Sequence, residues 1–305
     1  METTDKKQAF LIGAPKSGTT WLANALSQNP NINLSNPKEP NIIATHKGTF
    51  PRSTNDPDWN DYEECFEGEG IRLDASIHTF ACPEAPRRIS ERFPNPFFIL
   101  SIRQPVERTF SHWRMIVDTG EAAKHGSDWS LFEDAWQDER LRCDSMYGTS
   151  IERWLKLFDL NRFIIINSLD MRENPAKVLR EVENFLDLEN FDYSLDMEMH
   201  SNSSASRRPS TLIGVAMRKL FSLVPGIIKF PIVNSLQKRD INIYNAPILS
   251  RSVEKMTLTP RHYSVCGQEL IDELRVFSKS TSFDTSLWTS QIEENLLTAR
   301  NIEKS

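Results

Sequence analysis

GAPKSGTTW, residues Gly13 to Trp21, is the stretch on which the reading of this chain turns. Gly13 and Gly18 have the separation of a nucleotide-triphosphate loop, G-x-x-x-x-G-K-[ST]. Thr19, however, stands where the lysine should follow the second glycine, and the only lysine in the loop is Lys16, inside the turn. A loop that keeps its glycines and hydroxyls can still wrap backbone N–H groups around an anion at a helix N-terminus. Moving the cation changes which oxygen it neutralises.

The flanks supply the setting such a loop needs. Ala9 to Ile12 is a short apolar run that fits a buried strand. In TTWLANALSQNP, Trp21, Leu22, Ala25 and Leu26 recur at helical spacing until Asn29-Pro30 stops the pattern. FFILSI (Phe97 to Ile102) is a second strand; it leads into RQPVERTFSHWRM, where Pro105 suits a first helical position. RFIIIN (Arg162 to Asn167) is a third strand between two helices. The earlier helix is expected from Thr149, with Glu152 in capping-box register, and the later from Asn174-Pro175, with Val178, Leu179, Val182, Phe185 and Leu186 on one face. Strands alternating with helices predict an α/β fold, a P-loop-type parallel sheet flanked by helices.

Composition narrows the function. At 305 residues, 39% hydrophobic and 26% charged, the chain reads as an ordinary globular protein able to bury a sizeable core. A net charge of -6 argues against a nucleic-acid partner. Four scattered cysteines without a C-x-x-C pair predict free thiols, and six histidines without ligand spacing predict no metal. METTDKKQAFLIG has no apolar signal core, and no run approaches the roughly 18 residues of a spanning helix, so a cytoplasmic protein is expected.

After about Tyr193 the character changes. HSNSSASRRPS is polar and serine-rich, and from Arg207 to Arg251 eight Lys/Arg face a single acid, Asp240. A last helical segment starts at Thr259-Pro260 and runs through ELIDELRVF, ahead of a polar tail ending NIEKS. The fold is therefore expected to carry a C-terminal helical, partly basic extension.

PKSGTTW (Pro15 to Trp21), then PKEP (Pro37 to Pro40), then Arg103 with Ser111 eight residues on, resembles the sulfotransferases that use 3'-phosphoadenosine 5'-phosphosulfate (PAPS). PKEP looks like the bacterial and heparan-sulfate-type branch. The order of strands and helices fits as well, as does the terminal LTPRHYSVCGQELIDELRVF…LW pattern. The resemblance implies one domain over 1–305, with a core over about 8–192 and a nucleotide-covering, acceptor-side helical region over about 193–290.

It also implies roles. Sulfuryl transfer displaces a phosphate leaving group, so charge growing on the bridging oxygen must be neutralised while an acceptor hydroxyl or amine loses a proton. No triphosphate has to be clamped, which accounts for the displaced lysine and the expected absence of metal. By resemblance Lys16 contacts the bridging region, and Ser17, Gly18, Thr19 and Thr20 bind the 5'-phosphate. Arg103 and Ser111 bind the 3'-phosphate, where a guanidinium fork matches phosphate oxygens. Trp21 is a candidate for the adenine face, and Asn202, Ser203, Arg207 and Arg208 for a segment covering the nucleotide; the product would be adenosine 3',5'-bisphosphate.

Two candidates compete for the base. Glu39, between Lys38 and Pro40, is presented from a loop that the prolines stiffen. His78 falls between the loop and Arg103, where cytosolic small-molecule sulfotransferases use a histidine; Ser76-Ile77-His78-Thr79 departs from the S-P-x-Y of the heparan-type branch. The acceptor stays open among a carbohydrate, a glycolipid and a small metabolite. A P-loop kinase and a non-catalytic nucleotide-binding membrane adaptor are the rival functions. For the second, residues 207–251 would touch acidic lipid, where an acceptor-site lid or helices with a solvated basic side are the alternatives.

Overall fold

The computed structural model describes residues 7–195 and 256–303. Five strands form one parallel sheet: β1 (Gln8–Gly13), β2 (Ile32–Leu34), β3 (Ile71–Asp74), β4 (Phe97–Ile102) and β5 (Phe163–Asn167). Their order is β2-β3-β1-β4-β5. Ala9 pairs with Leu73 on one side and Phe97 on the other, which fixes β1 at the centre. Among the described residues the helices are α1 (Thr19–Leu26), α2 (Trp59–Glu64), α3 (Ala85–Arg92), α4 (Pro105–Thr119), α5 (Glu121–Lys124), α6 (Phe132–Gln137), α7 (Glu139–Arg142), α8 (Tyr147–Leu155), α9 (Asp170–Glu173), α10 (Pro175–Leu186), α11 (Pro260–Thr281) and α12 (Ser286–Ile302).

The two faces of the sheet bury separate cores, so its longer strands β1, β4 and β5 read as largely apolar runs. Alternate residues diverge: Phe10 and Ile12 of β1 join Phe98, Leu100 and Ile102 of β4 on one face, while Ala9 and Leu11 join Ile99 on the other. The second face is covered by α1 through Leu22 and Leu26 and by α10 through Val178, Leu179, Val182 and Leu186. The first is covered by α3, α4, α8 and α11, with Ile89, Val106, Ile151, Trp154 and Leu270 in one cluster.

Three expectations are corrected. β2 and β3 were not anticipated: they are three and four residues long and mix polar with apolar side chains, so neither periodicity nor length marks them. The helix expected from Thr149 begins two residues earlier, at Tyr147. Thr149 does not cap it; its N–H and hydroxyl donate to Glu273 of α11 at 2.7 and 2.6 Å. Tertiary packing chose that start, because α8 lies so close to α11 that a Cβ on Gly148 would sit 2.5 Å from Glu273 O. The polar tail is largely helical, as α12, and is anchored to α11 through buried Trp288 and Ile292. Asn202, Ser203, Arg207, Arg208 and the basic stretch 207–251 lie outside the described residues.

Candidate active site

In an open parallel sheet the crevice for a ligand opens at the carboxyl ends of the strands, where the chain reverses its direction of progress across the sheet. From central β1 the chain goes first to β2 and β3 on one side, then to β4 and β5 on the other. The loop after β1 therefore sits at the switch point. Protein donors occupy its carbonyls: Ser101 Oγ donates to Ser17 O at 2.5 Å, Arg108 Nη1 to Pro15 O at 3.3 Å, and Ser17 N–H to Ala14 O at 3.2 Å. Gly18 precedes α1 with φ +81°, a left-handed conformation suited to glycine. Lys16 also has positive φ, +71°, which for a residue with a Cβ costs on the order of 1–2 kcal/mol. The turn is thus held open toward the first-turn N–H groups of α1, the donors that every helix leaves without intrahelical partners.

The loop residues divide by exposure. Gly18 and Thr20 are exposed and Lys16 is half-buried, whereas Ser17 and Thr19 are buried. Tyr147 O–H donates to Arg103 O at 3.0 Å, whereas the Ser17 hydroxyl is buried without a hydrogen-bond partner among the described residues. Trp21, the adenine candidate, is 8% exposed and packs in the core beside Leu22.

Arg103, Glu107, Ser111 and Met115 recur every four residues along α4 and its entry, which sets them along one face. Lys16 Nζ reaches that face, 3.5 Å from Met115 Sδ. The lysine, the arginine and the serine are therefore brought to one side of one helix. Arg103 and Ser111 are half-buried. Arg103 is paired with Glu107, an acid that the sequence reading did not assign: Nε and Nη2 donate to Glu107 Oε2 at 3.0 and 2.6 Å.

Glu39 stands beyond the tip of β3, the other neighbour of β1. Its carboxylate lies 2.6 Å from Lys38 Nζ, with 28% of its side chain exposed. Ala75 N–H and Ser35 Oγ both donate to Lys38 O, at 3.3 and 2.9 Å, which fastens the loop to the sheet.

His78 belongs to a different setting. It is 7% exposed, with Nδ1 3.2 Å from Asp144 Oδ1. Burial alone would raise Asp144, but His78, Arg108 and His112 hold its carboxyl well below the usual carboxylate range. An ionised carboxylate can only accept, so His78 carries its proton on Nδ1. Behind it, fully buried Arg108 reaches Ser145 Oγ at 2.7 Å, Leu141 O at 3.3 Å and His112 Nδ1 at 3.2 Å, while His112 Nε2 meets Thr49 Oγ1 at 2.8 Å. Burial and then the Arg108 charge keep His112 well below its usual value. The sequence reading missed Arg108, His112 and Asp144. One signal was legible: Arg108 falls among Val106, Thr109 and Phe110 on the apolar face of a predicted helix, where an unpartnered cation would not be tolerated.

The donor set of two cations, the exposed Thr20 hydroxyl and a helix N-terminus suits a phosphate-bearing nucleotide. Residues 6–208 match the model of the sulfotransferase domain. The chain is 25% identical to heparan sulfate glucosamine 3-O-sulfotransferase 6 of Mus musculus over 197 residues, 59% of this chain and 52% of that protein. It is 28% identical to bifunctional heparan sulfate N-deacetylase/N-sulfotransferase 1 of Homo sapiens over 208 residues, 60% of this chain and 22% of that protein. It thus spans about half the length of the first relative and under a quarter of the second. The crystal structure of a sulfotransferase from Alicyclobacillus acidocaldarius shares the fold with a TM-score of 0.63 at 17% identity, over 93% of this chain and 99% of that one. With two thirds of its residues inside the family match, the chain belongs to the sulfotransferase domain family.

Proposed function

We propose that this chain is a PAPS-dependent sulfotransferase acting on a hydroxyl or amine of a carbohydrate acceptor, with Glu39 as the general base. The observation that carries the reading is the convergence of Lys16 with the Arg103–Ser111 face of α4 at the carboxyl end of β1 and β4, while Glu39 stands at the tip of β3 next door. PAPS, when bound, supplies the sulfuryl group and a nucleotide leaving group. Lys16 and the N-terminus of α1 provide positive potential at the loop, and a preorganised donor of that kind contributes on the order of 3 kcal/mol to transition-state stabilisation. Arg103 and Ser111 bind a phosphate away from the loop. Glu39 accepts the acceptor's proton, with Lys38 beside it to hold the carboxylate in place.

Exposure favours Glu39 over His78. An acceptor group must reach the base, and 28% of the Glu39 side chain is exposed against 9% for His78, whose ring closes the buried Asp144 network. The carbohydrate acceptor is inferred from relatives named for heparan sulfate.

The test is transfer of label from PAPS to a panel of hydroxyl- and amine-bearing oligosaccharides, run in the presence of a chelator. Wild type should label at least one acceptor, Glu39→Gln should lose turnover, and His78→Asn should keep it. Turnover that needs a divalent metal, or that survives in Glu39→Gln and disappears in His78→Asn, would overturn the assignment.

A further inference from the structure

Strand β4, FFILSI, is apolar except at Ser101. Ser101 is fully buried and falls on the sheet face where Ile99 packs with α1 and α10. Alanine would fill that place without burying a hydroxyl, whose loss of water must be offset by a partner. The partner lies in the loop after β1: Ser101 Oγ donates to Ser17 O at 2.5 Å. The Ser101 carbonyl takes the same loop at its other end, accepting Ala14 N–H at 2.6 Å. The end of β1 is displaced toward that contact, because its register slips there: Leu11 pairs with Ile99 but Gly13 with Leu100. Lys16 thus stands between two positions pinned to one residue of β4.

The hydroxyl contact decides which way a peptide group faces. A trans peptide is planar, with its C=O and N–H pointing in opposite directions, and the Ser17–Gly18 bond is trans. With the Ser17 carbonyl drawn to buried Ser101, the Gly18 N–H turns the other way, and Gly18 itself is exposed. Arg108 acts alike one contact earlier: Nη1 holds Pro15 O at 3.3 Å, and the Lys16 N–H opposes that carbonyl. Carbonyls inward and N–H groups outward is the polarity an anion requires.

The opposite arrangement is close at hand. Flipping the Ser17–Gly18 plane changes φ at Gly18, where glycine tolerates either sign. The flipped plane would set a carbonyl oxygen, with its partial negative charge, where a phosphate is expected. Something other than local sterics must therefore hold the plane, and the Ser101 hydroxyl is placed to do so.

We infer that Ser101 is a positioning residue for the nucleotide loop: its hydroxyl locks the Ser17–Gly18 peptide with the N–H facing the crevice, as a donor to the 5'-phosphate of the nucleotide. The inference rests on the reading of this loop as the 5'-phosphate subsite. Because Arg103 follows on the same strand two residues later, the lock also fixes the loop relative to that arginine.

Calorimetric titration of wild type and Ser101→Ala with adenosine 3',5'-bisphosphate and with adenosine 3'-phosphate, which lacks the 5'-phosphate, tests this. Ser101→Ala should bind the bisphosphate roughly ten-fold more weakly and the monophosphate within about two-fold of wild type. Equal weakening of both ligands would mean a general loosening of the site and would overturn the inference, as would unchanged affinity for the bisphosphate. Hydrogen exchange of the unliganded protein reads the lock without a nucleotide. The Ser17 N–H, held on Ala14 O at 3.2 Å, should exchange about ten-fold faster in Ser101→Ala while the β5 amides keep their rates. Wild type that binds neither nucleotide would remove the nucleotide reading rather than the lock, and unchanged Ser17 exchange would remove the lock itself.

Discussion

One carboxylate oxygen of Glu107 takes two donors of Arg103: Oε2 lies 3.0 Å from Nε and 2.6 Å from Nη2. Glu107 sits in the first turn of α4, where the helix dipole favours an acid, and from there it aims the guanidinium along the face that carries Ser111. The pair pre-orients the fork and also sets a negative charge where a phosphate is expected to bind. Glu107→Gln keeps a hydrogen-bonding partner and removes the charge. It should tighten binding of adenosine 3',5'-bisphosphate by a few-fold, whereas Arg103→Ala should weaken it roughly ten- to a hundred-fold, the range for losing a charge-assisted hydrogen bond. Calorimetric titration of both variants measures this.

Gly18 is constrained twice. Its φ of +81° disfavours any side chain, and a Cβ there would lie 2.7 Å from Met171 Cε. Gly18→Ala should lower stability by roughly 1–3 kcal/mol in urea denaturation and loosen nucleotide binding, because the start of α1 must shift. Adding Met171→Ala removes the collision but leaves the dihedral penalty and opens a cavity. The double variant should therefore remain less stable than wild type.

Arg108 and Asp144 are both fully enclosed, and the charge of one depresses the pKa of the other. They make no direct ion pair, but removing either of two buried opposite charges leaves the other less compensated, at a cost of up to about 3–5 kcal/mol. Arg108→Met alone should destabilise by that order. Arg108→Met combined with Asp144→Asn should cost clearly less than the sum of the two single changes. Thermal unfolding of the three variants gives the coupling directly, and simple additivity would contradict the network.

These residues mark how far the sequence could be read. Lys16, Arg103, Ser111 and Glu39 were legible because they stand in motifs or just beyond long apolar strands, and the strand–loop–helix order around Gly13 to Trp21 carried the fold. β2 and β3 were not legible, since three or four mixed residues leave no periodic signal, and without β3 nothing marked Asp74 as lying under the Glu39 loop. Asp144 was equally hidden, in a short 3-10 turn whose partners come from two distant segments, the stretch after β3 and α4. Thr149 and Glu152 have the spacing of a capping box, but a contact with Glu273, 124 residues away, decided the local structure.

Asp74 also makes stability depend on pH in a defined direction. Its pKa is raised from 3.8 to about 6 by burial, so across that interval folding takes up a proton. The stability that Asp74 contributes is complete below the unfolded value, falls as pH rises through the folded value, and levels off above it. Asp74→Asn should therefore stabilise the protein by roughly 3 kcal/mol near neutral pH and by little near pH 4. Urea midpoints at the two pH values measure the difference, and an equal effect at both would show that the carboxyl does not titrate as described.

The central claim is that the loop at Gly13 to Trp21 and the α4 face hold a 3'-phosphorylated nucleotide rather than a magnesium-bound triphosphate. Calorimetric titration with adenosine 3',5'-bisphosphate and with magnesium-ATP, on wild type and on the Lys16→Ala, Arg103→Ala double variant, tests it most directly. Adenosine 3',5'-bisphosphate should bind wild type without metal and more tightly than magnesium-ATP, and binding to the double variant should be weaker by on the order of a hundred-fold. Unchanged affinity in the double variant, or a preference for magnesium-ATP, would contradict the account.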